Sequence, residues 1–173
     1  MPQDLRHDLI ALLPRLCRFA RGLTGAADQA DDLVQASVEK ALRNLDGFTR
    51  GTRMDAWMFR IIRNTWIDTI RARRDTVEFD AEAAATIIGS DGRATTEAHL
   101  HLAEVRRAMA SLPEEQRAVL MLVCVEGMRY REVAEVLDIP EGTVMSRLSR
   151  ARLALAEKLK DRPVGAQQQG ITK

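Results

Sequence analysis

Through most of this chain the apolar residues recur at spacings of three and four, and no stretch alternates apolar and polar residues as a half-buried strand would. That periodicity predicts an all-α fold. Aromatic residues make up only 4% of the sequence, so the core has to rest on Leu, Ile, Val, Met and Ala, which favours helix packing. A first helix is expected over about residues 4–22, with Leu5, Leu9, Leu12, Leu16 and Phe19 on one side and Gly22 and Gly25 ending it. A second is expected from Asp28 as N-cap, carrying Val34, Val38, Ala41 and Leu45 at helical spacing. Asp46-Gly47 and Arg50-Gly51 bracket a loop, and a third helix spans about residues 54–74.

Residues 76–95 are rich in small and acidic residues and lose the periodicity, so they read as a linker. Helical pattern resumes near residue 96 and stops at Ser111-Leu112. Pro113 then fits the first turn of a further helix, with Glu114 and Glu115 at the positive end of its dipole. That helix is expected to end at Gly127, followed by a short helix from Tyr130 to Leu137 and a tight turn at Asp138-Ile139-Pro140. The last helix, IPEGTVMSRLSRARLAL over residues 140–156, places Val144, Leu148, Ala151 and Leu155 on one apolar stripe. From Gly142 to Ala156 every charge is an arginine. A short helix, a tight turn and a basic-faced helix form a helix-turn-helix, whose second helix enters the DNA major groove. Gly142, Thr143, Ser146 and Ser149 are small enough to let the backbone approach a duplex, and Arg147 and Arg150 can reach phosphates or the guanine acceptors.

The helix at 54–74 carries a second basic face. Arg60, Arg63, Asn64, Arg71 and Arg74 lie at offsets of 0, 3, 4, 11 and 14, one narrow face at about 100° per residue, with Met54, Met58, Ile61, Ile62 and Thr65 opposite. Net charge is only +1, but its distribution is uneven. Residues 53–74 hold six arginines against Asp55 and Asp68, residues 75–104 hold one arginine against seven acids, and residues 142–162 hold six basic residues against Glu157 and Asp161. Two basic patches separated by an acidic stretch suit two contacts on one extended ligand.

Other classes find no support in the residues. No uncharged apolar run reaches the roughly 18–20 residues of a membrane span, and the N-terminus lacks the pattern of a signal peptide. Cys17 and Cys124 stand apart without metal-ligand spacing, so the chain reads as soluble, cytoplasmic and free of disulfides. His7, His99 and His101 are scattered, and neither a nucleophile–base pair nor a glycine-rich phosphate loop is present, so neither a metal, a cofactor nor catalysis is expected. Asp31 and Asp32, taken alone, read as partners of a helix dipole.

Three stretches together resemble one family. DQADDLVQASVEKALRNLDGF (28–48), WMFRIIRNTWIDTIRARR (57–74) and SLPEEQRAVLMLVCVEGMRYREVAEVLDIPEGTVMSRLSRARLAL (111–155) are similar to the extracytoplasmic-function sigma factors, bacterial sigma factors that keep only domains two and four. The resemblance implies a domain 2 over residues 1–75, a flexible acidic linker over 76–98, a helix-turn-helix domain 4 over 99–162 and a disordered tail over 163–173. It implies a subunit that directs promoter recognition by RNA polymerase, binding the β′ clamp and the β flap, under the control of an anti-sigma factor. Asp31, Asp32, Leu33 and Gln35 would lie at the polymerase clamp. Phe48 to Arg53, Trp57 and Asn64, with Arg60, Arg63 and Arg71 tracking phosphates, would take the −10 element. Thr143, Ser146, Arg147, Arg150 and Arg152 would meet the −35 element.

The chain departs from the family at two positions. Ala36 stands where an acid usually follows the glutamine, and Met145 stands where the recognition helix usually carries Lys or Arg, so the preferred −35 sequence does not carry over. No receiver domain accompanies the helices, which sets the chain apart from sigma-mimic response regulators. Two rivals remain: a helix-turn-helix regulator that binds DNA without polymerase, and a mimic that binds an anti-sigma protein without touching DNA. The second basic face argues against the former, and intact arginines on both helices argue against the latter.

Overall fold

The computed structural model describes residues 3–49, 51–77 and 97–160, and these contain helices without strands. Helix α1 (Gln3–Thr24), α2 (Ala27–Arg43) and α3 (Met54–Val77) form an N-terminal bundle, with a 3-10 turn at Leu45–Gly47 between the last two. Helix α4 (Glu97–Ala110), α5 (Glu114–Leu120), α6 (Tyr130–Leu137) and α7 (Glu141–Lys160) form the C-terminal half.

The N-terminal core is built where the heptad-like stripes meet. Leu16, Phe19 and Leu23 of α1, Ala30 and Leu33 of α2, and Met58, Phe59 and Ile62 of α3 are all buried. Phe19 and Phe59 pack edge to face with centroids 5.0 Å apart. Ser37, fully buried in α2, satisfies its hydroxyl by donating to the Leu33 carbonyl at 2.7 Å.

Helix ends differ in detail from expectation. α1 runs through Gly22 to Thr24 and stops at Gly25, which takes a φ of +77° and donates its N–H to the Arg21 carbonyl. Gly22 does not end the helix: a side chain there would collide with Met121 of the C-terminal half. The N-cap of α2 is Ala26, so Asp28 lies in the first turn and serves the dipole instead. Pro113 is likewise the N-cap of α5 rather than its first residue, because its ψ of 141° is extended. After Leu120 the helix widens into a π-helical stretch, Met121–Val125, before Gly127 turns the chain at a φ of +68°.

The expected linker over 76–98 falls almost wholly outside the described residues. Its first two residues continue α3 and its last two begin α4. The expected tail over 163–173 also lies outside them.

The two halves are not separate bodies side by side. α1 packs against α4 and α5, α3 packs against α6, and a single run of buried apolar residues continues from Leu9 to Ala151.

Candidate nucleic-acid interface

The C-terminal half builds the helix-turn-helix from local rules. Asp138 closes α6 in the left-handed region at a φ of 54°, a conformation that Asp tolerates better than bulky residues. Pro140 then offers its carbonyl to the N–H groups of Thr143 and Val144, opening α7. Val144, Leu148 and Ala151 are buried against α5 and α6, while Leu155 is only partly covered. Gly142, Met145, Ser146, Ser149 and Arg150 stand exposed, with Thr143 half-buried at their edge. Ser146 donates its hydroxyl to the Thr143 carbonyl at 3.1 Å, tying it to the helix.

The three arginines of this helix have different surroundings. Arg147 is held to Glu115 at the start of α5 with an N···O distance of 2.6 Å and keeps 19% of its side chain exposed. Arg152 lies along Cys124, 3.6 Å from its sulfur. Arg150 is exposed and makes no ion pair within the described residues. It is therefore the arginine of α7 least engaged within the chain. Arg150→Ala is expected to weaken binding of the preferred duplex by about 1–3 kcal/mol and to relax preference at one base pair. A uniform loss on all sequences, read by titrating a panel of single-substituted duplexes, would make it a phosphate contact instead.

On the N-terminal half, α2 presents Asp31, Asp32 and Gln35 to solvent on one surface. Leu33, expected beside them, turns inward and is 5% exposed, so it holds the helix in place rather than offering a contact. Asp31 stands 4.0 Å from Arg21, too loose and exposed to restrain either group.

The basic face of α3 is divided. Asn64, Arg71 and Arg74 are exposed as expected. Trp57, near the start of the helix, meets Phe48 from the preceding loop with ring centroids 5.2 Å apart, forming a half-buried aromatic pair. A crevice beside Trp57, lined by Leu9, Leu42, Leu45 and Met54, has room for no more than about one water. Unstacked bases bind exposed aromatic rings through their π-faces.

Arg53, Arg60 and Arg63 are not free on that face. Arg53 pairs with Asp55 at 2.7 Å and with Glu132 of α6. Arg60 donates to the backbone carbonyl of Glu135. Arg63 is half-buried, with its Nε enclosed and without a protein partner. Asp55 sits at the centre of this arrangement. Burial alone would push its carboxyl up, but hydrogen bonds from Arg53, the Ala56 N–H and Arg15 hold it below the ordinary carboxylate range.

Two regions of the sequence match known families. Residues 9–76 match Sigma-70 region 2, and residues 102–155 match Sigma-70, region 4. The chain is 40% identical over 160 residues to the ECF RNA polymerase sigma factor EcfG of Rhodopseudomonas palustris, covering 92% of this chain and 87% of that one. This chain belongs to the ECF RNA polymerase sigma factors.

The sigma factor is also 29% identical over 170 residues to SigW of Bacillus subtilis, covering 92% of this chain and 91% of the relative. Among solved structures it is similar to the sigma factor RpoE of Bartonella quintana, solved with the anti-sigma factor NepR. That likeness has a TM-score of 0.80 and 32% identity, over 92% of this chain and 99% of the other. Its function is to direct promoter recognition and the start of transcription by RNA polymerase. No helix among the described residues is long and apolar enough to cross a membrane, and no group of three His, Cys, Asp or Glu among them is arranged to hold a metal.

The sigma factor contains a polar cluster that the sequence did not signal. Glu126 accepts from Arg15 at 2.8 Å and from Arg18 at 2.9 Å, although more than one hundred residues separate them. Only the spacing of Arg15 and Arg18, three apart on α1, hinted that they share a face. Their partners come from the other half of the chain, where no local pattern can announce them.

Proposed function

We propose that the two halves of this sigma factor divide promoter recognition between them. The N-terminal bundle docks on core RNA polymerase through Asp31, Asp32 and Gln35 at the β′ clamp. It takes the −10 strand with Phe48, Trp57 and Asn64, while Arg53, Arg60, Arg63 and Arg71 follow phosphates. The C-terminal half reads the −35 element through α7, with Arg150 facing the bases. Thr143, Ser146, Arg147 and Arg152 set the helix's position, and the same half meets the β flap.

The observation that carries this reading is the pairing of two different nucleic-acid surfaces in one chain. α7 has the small, arginine-bearing face that fits a duplex groove. The start of α3 has an aromatic pair, with exposed Asn64 about two turns further along the same face, which fits an unstacked strand. A regulator that only binds duplex DNA needs the first surface and has no use for the second. Met145, exposed on α7 where the family usually carries a cation, replaces a charge contact with an apolar one.

Polymerase supplies the chemistry, so the chain works in the cytoplasm as a binding subunit. The likeness to a sigma factor solved with NepR supports control by an anti-sigma protein. Run-off transcription with core polymerase and promoter fragments tests the reading. The wild-type chain is expected to start transcripts at defined promoters. Asp31→Ala combined with Asp32→Ala is expected to lower core affinity by about tenfold while leaving the helical content unchanged, because both charges leave one contact surface. A folded double variant that binds core as tightly as the wild type would remove α2 from the clamp.

A further inference from the structure

The large apolar side chains that α7 exposes are Met145, Leu153 and Leu159. Of these, only Met145 lies at the end of the helix that follows the Asp138 turn, and it keeps 48% of its surface exposed. That end is the one a helix-turn-helix lowers into the major groove.

At about 100° per residue Met145 stands on the flank of the outward face, about a quarter turn from Ser146, with Gly142 and Ser149 between them. Long helical side chains lean towards the N-terminus of their helix, so Met145 extends over the turn of Glu141 and Gly142. Gly142 leaves that path open, since a Cβ there would meet no described atom within 4 Å. An unbranched thioether with three rotatable bonds adapts its shape to what it meets there.

The polar groups on this flank are poorly suited to phosphate. Glu141, about one turn before Met145, is an exposed acid. Arg152, about two turns beyond it, lies against Cys124 with 3.6 Å to the sulfur. Ser146 donates its hydroxyl proton within the helix, to the Thr143 carbonyl. What this flank offers a duplex is therefore apolar surface. Among the base edges in the major groove, only thymine presents an apolar group, its C5-methyl. That methyl projects on the side of the base nearer its own strand's backbone, so it meets the flank of an inserted helix rather than its centre.

We infer that Met145 is a specificity-determining residue of the −35 contact, packing its thioether on the C5-methyl of one thymine. This rests on the assignment of α7 to the −35 duplex and adds which group is read and by which side chain. Arg150 discriminates through hydrogen bonds, whereas Met145 does so by removing two apolar groups from water. It thereby separates thymine from cytosine, which lacks the methyl.

Holoenzyme reconstituted from core polymerase and the full chain, on a promoter fragment that it transcribes, tests this. Each −35 thymine in turn, on either strand, is replaced by deoxyuridine, which removes the methyl and keeps every hydrogen-bonding group. Closed-complex affinity is measured in the cold, before the strands open. For the wild type, one replacement is expected to weaken binding about fourfold, the worth of one buried methyl. Met145→Ala and Met145→Gln are expected to bind the unmodified fragment about fourfold more weakly and to be indifferent to that replacement. Met145→Leu, which keeps the apolar bulk, should retain the sensitivity. An apolar contact releases no counterion, so Met145→Ala should leave the salt dependence of binding unchanged. Wild-type holoenzyme indifferent to every replacement, or a Met145→Ala chain as sensitive as the wild type, would overturn the inference while leaving α7 in the groove. Should exchanging whole base pairs of the element change nothing either, α7 does not read that duplex, and the assignment beneath the inference falls with it.

Discussion

Phe59→Ala is expected to destabilise the N-terminal bundle by about 3–5 kcal/mol, a large part of what holds a domain of this size together. Phe59 is fully buried and packs edge to face on Phe19 at 5.0 Å, with the Arg15 guanidinium 5.5 Å from its ring centroid. Truncation removes the ring contacts and leaves a cavity between α1 and α3, which the stiff helix pair cannot close by collapse. Urea unfolding followed by tryptophan fluorescence is the suitable measurement, because Trp57 and Trp66 are the chain's only tryptophans and both lie on α3. Phe59→Leu, which retains most of the volume, should lose much less. An unfolding free energy for Phe59→Ala within about 1 kcal/mol of the wild type would show that α1 and α3 hold together without this contact.

Leu148→Ala should have the second largest effect, about 2–5 kcal/mol on the C-terminal half. Leu148 is 2% exposed and lies between Val144 and Ala151 on the stripe that docks α7 on α5 and α6. Its loss acts on function only through position. The outward arginines keep their identity but no longer sit on a fixed helix, so duplex affinity is expected to fall with the melting of this half. Warming the sample moves the two losses together, as read by circular dichroism and by titration of a −35 duplex. Arg150→Ala, in contrast, should weaken DNA binding at unchanged melting temperature. Leu148→Met, which conserves volume, should cost less than about 1.5 kcal/mol. A Leu148→Ala chain that melts like the wild type would mean that α7 is held elsewhere.

Much of this molecule was legible residue by residue, and the reason is that its signals are local. The spacing of Val144, Leu148 and Ala151 placed the buried face of α7, and all three are buried. Tyr130–Leu137 and the turn at Asp138 were placed by period and turn chemistry alone. Ends were harder. Gly22 reads as a helix stop by composition, yet its missing side chain serves a neighbour from the other half of the chain. Phe59 and Trp66 escaped the apolar face assigned to α3 because that helix is covered on more than one side, which blurs its amphipathic pattern.

The sequence by itself determined the helices, the helix-turn-helix and the two arginine-bearing faces, because each depends on residues within a few turns of one another. Which arginines remain available was decided only by tertiary structure. Arg60, Arg63 and Asn64 look equivalent on a helical wheel, yet Arg60 bonds the α6 backbone, Arg63 is half-buried and Asn64 stays exposed. Arg147 and Arg150, three apart on α7, diverge in the same way because Glu115 of α5 stands beside only the first. An ion pair between residues far apart in the chain leaves no periodic trace, since its geometry exists only after the helices have packed. The docking of α6 on α3 belongs wholly to that later step.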